Sequence, residues 1–255
     1  MDFLAVISGF GVGAIVGLTG VGGGSLMTPL LMGVFRLSPA MAIGTDLWFA
    51  ALTKSGGSWA HHRMGHVDYR VTKLLLCGSV PATAATIGLM YFSGITKGWA
   101  EALTFALGIA LLLTAISVAY KRVWNAVGLR LESSISPARR DVLTVASGLL
   151  LGVLVSLSSI GAGAIGATLL LVLYPRMQAQ RIVGTDIAHA VPLTLLAGIG
   201  HASLGHVDWQ LLGALLLGSL PGIWLGARLT RALPENAVRG VLSLSLLGAG
   251  IKVLT

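Results

Sequence analysis

The sequence predicts an all-α polytopic membrane protein built from two copies of one unit, on three observations. The first is composition: 55% of residues are hydrophobic, 10% are charged and mean hydropathy is +0.88, whereas soluble domains carry about 25% charged residues. The second is the length of the apolar stretches, many of which approach the roughly 20 residues that a helix needs to cross the hydrocarbon. The third is an internal repeat at an offset of 140 residues. Gly44-Thr45-Asp46 recurs as Gly184-Thr185-Asp186, His61 as His201, and Gly65-His66-Val67-Asp68 as Gly205-His206-Val207-Asp208. Gly78-Ser79-x-Pro81 recurs as Gly218-Ser219-x-Pro221, and Gly23 and Thr28 as Gly163 and Thr168, with no insertion or deletion across that stretch. Apolar chains duplicated and fused in this way are commonly transporters with a substrate site between the copies.

Taken in order, the apolar segments predict spans over 3–20, 39–60, 71–93, 99–120, 141–160, 181–201, 209–227 and 236–254. Two short segments, 25–35 and 165–174, follow Gly-rich motifs. Met1-Asp2 offers no basic region and the first segment leads into a repeat motif, so a cleavable signal peptide is not expected. Spans 39–60 and 181–201 carry the Gly-Thr-Asp triplets. Spans 71–93 and 209–227 follow the Gly-His-Val-Asp units, which read as tight membrane-surface turns anchored by Tyr69 and Trp209. Residues 1–120 form the first repeat and 141–255 the second. A basic linker, 121–140, joins them and contains Ser133-Ser134-x-Ser136-Pro137.

The crossing count decides orientation. Re-entrant short segments would give four crossings per copy and two copies pointing the same way. Five crossings per copy would turn the second copy upside down. Positive residues collect on the cytoplasmic side. With the linker inside, four-plus-four puts nine Lys/Arg inside and seven outside, whereas five-plus-five puts thirteen inside and three outside (Arg36, Lys97, Lys252). Length pulls the other way, because eleven helical residues rise only about 16 Å. Charge favours inverted repeats of five helical segments, eight long spans plus two short ones, in the inner (cytoplasmic) membrane.

The net charge of +8 sits between hydrophobic segments, so it reads as topology rather than nucleic-acid binding. One cysteine, Cys77, provides neither a disulfide framework nor a metal-binding set, and reads as a packing residue.

Two motifs carry the candidate chemistry. Gly20-Val21-Gly22-Gly23-Gly24-Ser25, with its cognate Ser159-Ile160-Gly161-Ala162-Gly163-Ala164, would break a membrane helix and aim backbone N–H groups at one point. A helix starting there favours an anion, and Pro29 falls where its missing donor matters least. Close helix packing is the competing explanation. Gly22, Gly23, Gly24, Ser25, Gly161 and Gly163 are the binding candidates from this motif. No Lys follows the glycines and no strand precedes them, so a nucleotide site is not expected. The second motif is Gly-Thr-Asp. An intramembrane aspartate is a functional hypothesis by default: Asp46 and Asp186 could take a coupling cation, carry a proton or hold a basic partner. Thr45 and Thr185 could donate to an anion or bond back to their own helices. Lys54, two turns after Asp46, has no counterpart, since Thr194 occupies its place. It reads equally as an anion attractor or a structural partner of an aspartate. His189, one turn after Asp186, could relay protons. His61 and His201 read as helix-end residues meeting interfacial water.

These residues resemble the sulfite exporter TauE/SafE family (TSUP, or DUF81) of membrane transporters. The resemblance rests on Gly20-x-Gly-Gly-Gly with Pro29, Ala42-x-Gly-Thr-Asp-Leu47 and Thr53-Lys54 in the first half. In the second it rests on Gly184-Thr-Asp-Ile, Pro192-Leu193-Thr194, Ala197-Gly198-x-Gly-His201, Gly205-x-Val-Asp-Trp209 and Gly218-Ser-x-Pro-Gly222. It covers nearly the whole chain except the linker. It implies two homologous halves in the cytoplasmic membrane and transport of sulfite, sulfonates and similar anions. Many members have Ser where Asp46 and Asp186 stand, and Ala162 and Ala164 interrupt the second Gly motif, which points to an asymmetric site. The expectation is a secondary transporter working by alternating access. The Gly motifs, Thr45, Thr185 and Lys54 would bind substrate, and Asp46, Asp186 and His189 would couple protons. An anion channel with the same Gly-lined pore is the alternative. The expected partners are a small anion and the lipid bilayer, with a homodimer left open. Neither cofactor nor metal is expected, and no nucleophile–base pair suggests an enzyme.

Overall fold

Most of the boundaries expected from the sequence fall within a few residues of helix ends. The computed structural model describes residues 3–19, 24–93, 97–132, 135–229 and 235–254. These form α1 (Phe3–Thr19), α2 (Gly24–Gly33), α3 (Pro39–Arg63), α4 (Tyr69–Ser93), α5 (Lys97–Ala119) and α6 (Lys121–Glu132). The second half supplies α7 (Pro137–Ser158), α8 (Ala164–Leu173), α9 (Ala179–Ser203), α10 (Trp209–Leu229) and α11 (Glu235–Leu254). Among the described residues, five helices (α4, α5, α7, α9 and α10) are long and apolar enough to cross a membrane. The 25 residues of α3 include Asp46, Lys54 and a His61-His62-Arg63 end, which dilute its hydropathy. The linker is more ordered than a loop: α6 fills its first part, and Ser136 caps α7, its side chain accepting from the Arg139 N–H. Cys77 is exposed on α4 rather than packed within the fold.

Glycine sets the closest helix contacts. A Cβ on Gly9 would lie 2.2 Å from the Leu215 carbonyl oxygen, and one on Gly13 2.4 Å from that of Ser219, so α1 presses backbone to backbone on α10. In the other half, a Cβ on Gly148 would come 2.1 Å from the Leu75 oxygen and one on Gly152 2.5 Å from that of Ser79. This is the small-residue packing available to helices in lipid. Each of these pairs runs parallel. The contacts equate Gly9 with Gly148 and Gly13 with Gly152, an offset of 139, whereas α2 and α8 begin 140 apart. The second copy therefore gains one residue between Gly152 and Ala164, the stretch that contains its Gly-rich corner.

The matching helices of the two halves lie antiparallel. Near the start of α3, Thr45 meets Asp208 just beyond the end of α9; near the start of α9, Thr185 meets Asp68 just beyond the end of α3. Between them, the Trp48 indole N–H donates to the Gly198 carbonyl at 2.9 Å. In α5 and α11, Ser243 bonds the Ala115 carbonyl while Gly108 faces Leu254. Three ion pairs gather at one end: Arg70–Asp141 at 2.5 Å, Arg176–Glu132 at 3.0 Å and Arg181–Asp68 at 3.2 Å.

Candidate functional site

The second Gly-rich motif forms a sharp corner between α7 and α8. Ser159 caps α7 in the left-handed conformation at φ 59°. Gly161 and Gly163 follow at φ 134° and 138°, a region that side chains rarely allow. α8 then starts at Ala164 with Gly163 as its cap and no capping side chain, leaving N–H groups without helical partners. In the first copy, Gly22 and Gly23 lie outside the described residues. Gly24 opens α2, and Ser25 is buried in its first turn.

Both aspartates turn towards these corners. Asp46 is fully buried and accepts a short hydrogen bond from the Thr28 hydroxyl of α2 through Oδ2. The Ser159 hydroxyl approaches the same carboxylate without closing a bond of ordinary geometry, and Oδ1 has no partner among the described residues. Asp186, 3% exposed, lies over the start of α8. The Gly163 N–H approaches its carboxylate without closing a bond of ordinary geometry, and its Oδ1, without a hydrogen-bond partner among the described residues, lies 2.1 Å from where a Cβ on Gly166 would stand.

Lys54 joins the halves. It is buried in α3, and its Nζ donates to the Ala162 carbonyl at 2.7 Å, in the corner of the opposite copy. Its charge acts on Asp186, Asp46 and His189. Lys54 thus bonds the second copy's corner and acts on Asp186 of the second copy as well as on Asp46 of its own helix. His189 is completely buried and shares a 2.9 Å hydrogen bond between Nε2 and the Ser79 hydroxyl of α4. Its Nδ1 has no partner among the described residues.

The threonines do something else. Thr45 Oγ1 accepts the Asp208 N–H at 3.0 Å, and Thr185 Oγ1 accepts the Asp68 N–H at 2.9 Å. In these bonds the hydroxyls accept, which leaves each O–H free to donate, and they tie each Gly-His-Val-Asp turn to the other copy. The preceding glycines make room: a Cβ on Gly44 would stand 1.9 Å from the His206 oxygen, and one on Gly184 2.4 Å from the His66 oxygen. His201 is likewise internal, its Nε2 bonding the Ser156 carbonyl at 2.9 Å; interfacial water does not reach it. Burial holds the neighbouring His206 below the usual histidine range.

The sequence had marked Asp46, Lys54, Asp186 and His189, and the structure brings them together. It adds Thr28, Ser79, Ser159, the Ala162 carbonyl and Gly166. Thr28 and Ser79 were visible as repeat positions; nothing in the sequence indicated that Lys54 would cross to Ala162. Among the described residues, no group of three or more His, Cys, Asp or Glu is placed to hold a metal. Chemically the centre offers one ammonium, two carboxyls, an imidazole and an uncapped helix start.

Apolar helices enclosing ionisable residues define a multi-pass membrane protein with a transporter-like interior. Comparison with known proteins is more specific. The profile of the family described as Sulfite exporter TauE/SafE matches residues 5–253, so the chain belongs to that family of membrane transporters. It is 37% identical to the probable membrane transporter protein YjnA of Bacillus subtilis (strain 168), covering 100% of both chains. It is 28% identical to the probable membrane transporter protein YdhB of the same organism, over 98% of this chain and 99% of that one. A probable membrane transporter protein of Xylella fastidiosa is 25% identical over 97% of this chain and 92% of its own length. No solved structure matches.

Proposed function

We propose that this protein is a secondary transporter for a small sulfur-containing oxyanion, of the sulfite or organosulfonate type, in the cytoplasmic membrane. The observation that carries the reading is the buried meeting of Lys54 and Asp46 from one half with Asp186, His189 and the α8 corner from the other. Lys54 and the backbone donors of the Gly motifs (Gly161 and Gly163, with Gly22, Gly23, Gly24 and Ser25 in the first copy) supply what an oxyanion needs. Thr45 and Thr185 act as ties between the halves. One ammonium balances one carboxylate, so with both carboxyls ionised a buried negative charge would be left over, which is expensive. Proton exchange at Asp46, Asp186 or His189 relieves that excess and couples transport to the proton gradient.

The two halves act as inverted repeats of five segments. Antiparallel α3/α9 and α5/α11 support this, as do the ion pairs linking Arg176 and Arg181 to Glu132 and Asp68. Same-way copies would put Arg176 across the bilayer from the linker. Rocking one half against the other would then expose the centre alternately. A centre buried on this scale supports alternation over an open channel. An inside-negative potential assists outward movement of an anion that crosses alone, by about 2.3 kcal/mol per charge per 100 mV, and contributes nothing to a monovalent anion that crosses with one proton.

The test is counterflow in proteoliposomes with sulfite, sulfate, thiosulfate and small sulfonates. The expected result is trans-stimulated exchange of sulfite or a sulfonate. Large currents without trans-stimulation would favour a channel, and no flux of any of these anions would reject the reading.

A further inference from the structure

One feature of the centre is not needed merely to carry a proton: the place where the Asp186 carboxylate rests. It lies over the start of the ten-residue helix α8, which no side chain caps, with the Gly163 N–H approaching it and Lys54 within electrostatic range. Gly166, one turn in, leaves the volume that one carboxylate oxygen fills: any Cβ there would stand 2.1 Å from Oδ1. That oxygen is buried and has no hydrogen-bond partner among the described residues. The Gly166 N–H turns back to the Gly161 carbonyl at 2.9 Å, but the N–H groups before it have no acceptor within the helix, and a helix start facing a cation is a seat for an oxyanion. Here the protein's own carboxylate sits in it.

We propose that Asp186 is a tethered competitor for the substrate: its ionised carboxylate and the transported oxyanion claim the same N–H groups of α8, beside Lys54. The inference rests on the anion-transport reading and names how that site couples. An arriving anion displaces the carboxylate, which leaves Lys54 and the N–H donors and takes up a proton as its charge loses its partners. One anion in and one proton on Asp186 leave the buried charge unchanged. Release reverses both steps.

Among the described residues the first copy differs: Leu26 stands at the place of Gly166, and Asp46 is held by the Thr28 hydroxyl, with the Thr28 N–H and Ser159 beside it. The other charged and titratable groups around Asp186 are Lys54 and Asp46 of α3 and His189 of its own helix, with α4 contributing the Ser79 hydroxyl to His189. Lys54 stays with the incoming anion and Ser79 already holds His189 Nε2, and the inference places the neutralising proton on Asp186 itself, whose carboxylate is the charge displaced.

The experiment measures methanesulfonate binding to the full-length protein in nanodiscs as a function of pH. This anion keeps a constant charge near neutral pH. Wild type should lose affinity about tenfold per pH unit once Asp186 ionises, and should take up one proton per anion bound in weakly buffered solution. Asp186→Asn should bind at least as tightly as wild type at low pH and lose the pH slope. Asp46→Asn should keep that slope. Binding by wild type without proton uptake, or a slope that survives in Asp186→Asn, would overturn the proposal while leaving anion transport intact. The proton-uptake measurement uses wild type alone and stands even where Asp186→Asn fails to fold. If wild type binds neither methanesulfonate nor sulfite at any pH, the anion reading itself falls, and this inference with it.

Discussion

The rim and the centre of this molecule treat its duplication in opposite ways. At the rim the two halves are nearly interchangeable: Thr45 accepts from Asp208 at 3.0 Å and Thr185 from Asp68 at 2.9 Å. His61 stacks near His66 at 5.7 Å and His201 near His206 at 5.4 Å. At the centre the copies diverge, with Lys54 against Thr194, His189 against Phe49 and Gly166 against Leu26. Residues that hold the halves together stay paired because each must fit the same partner twice. Residues that handle charge differ because one ammonium serves both carboxyls. Symmetry here belongs to assembly and asymmetry to ion chemistry.

The largest effect should come from breaking the asymmetric part. Lys54→Met removes the buried ammonium that donates to the Ala162 carbonyl and acts on Asp186 and Asp46 from a distance, and should cost about 3 kcal/mol, the upper end for a hydrogen bond from a charged group. Thermal unfolding in detergent reads it. Thr194→Val, at the matching position, loses only a bond back to its own helix at Ala190 and should change stability by less than about 1 kcal/mol. Equal losses at the two positions would erase the distinction between the copies.

The next largest effect belongs to the rim. Gly44→Ala and Gly184→Ala each drive a methyl into the backbone of the opposite turn, and overpacking of this kind costs about 1–3 kcal/mol. Gly213→Ala, where nothing lies within 4 Å of an added Cβ, is the control and should be neutral or mildly stabilising. Size-exclusion profiles and melting temperatures check all three. Thr45→Val and Thr185→Val should each cost about 1–3 kcal/mol by leaving a turn N–H without its acceptor, and by matching amounts. A clear inequality would show that the ties are not equivalent.

The smallest effect is a pH dependence. Because burial depresses His206, the folded turn prefers the neutral ring. Its stability is full above the unfolded value of 6.5 and declines as pH falls below it. Hydrogen exchange in the 204–208 turn should quicken on acidification through that window, and His206→Gln should flatten the response.

Much of this was legible in the sequence. The repeat, the Gly-Thr-Asp triplets and the intramembrane charges identified both the family and the four residues that meet at the centre, because a charge in an apolar segment announces itself. What could not be read was which half each side chain reaches. Lys54 reaches the Ala162 carbonyl, and comes within electrostatic range of Asp186, only because the two halves pack against each other, a consequence of packing rather than of spacing. The N–H that Thr45 accepts was hidden for the same reason: its turn partner lies 163 residues away. The one-residue gain at the second corner was hidden too, since the 140-residue offset aligns the motifs on only one side of it.

The central claim is that Lys54 completes a single anion site shared by both halves. Counterflow of radiolabelled sulfite in proteoliposomes tests it most directly, comparing wild type, Lys54→Arg and Lys54→Met at matched reconstitution. The account predicts robust exchange by wild type, partial exchange by Lys54→Arg, which keeps the charge, and at least a hundredfold loss in Lys54→Met. Undiminished exchange by Lys54→Met, reconstituted and folded, would contradict it.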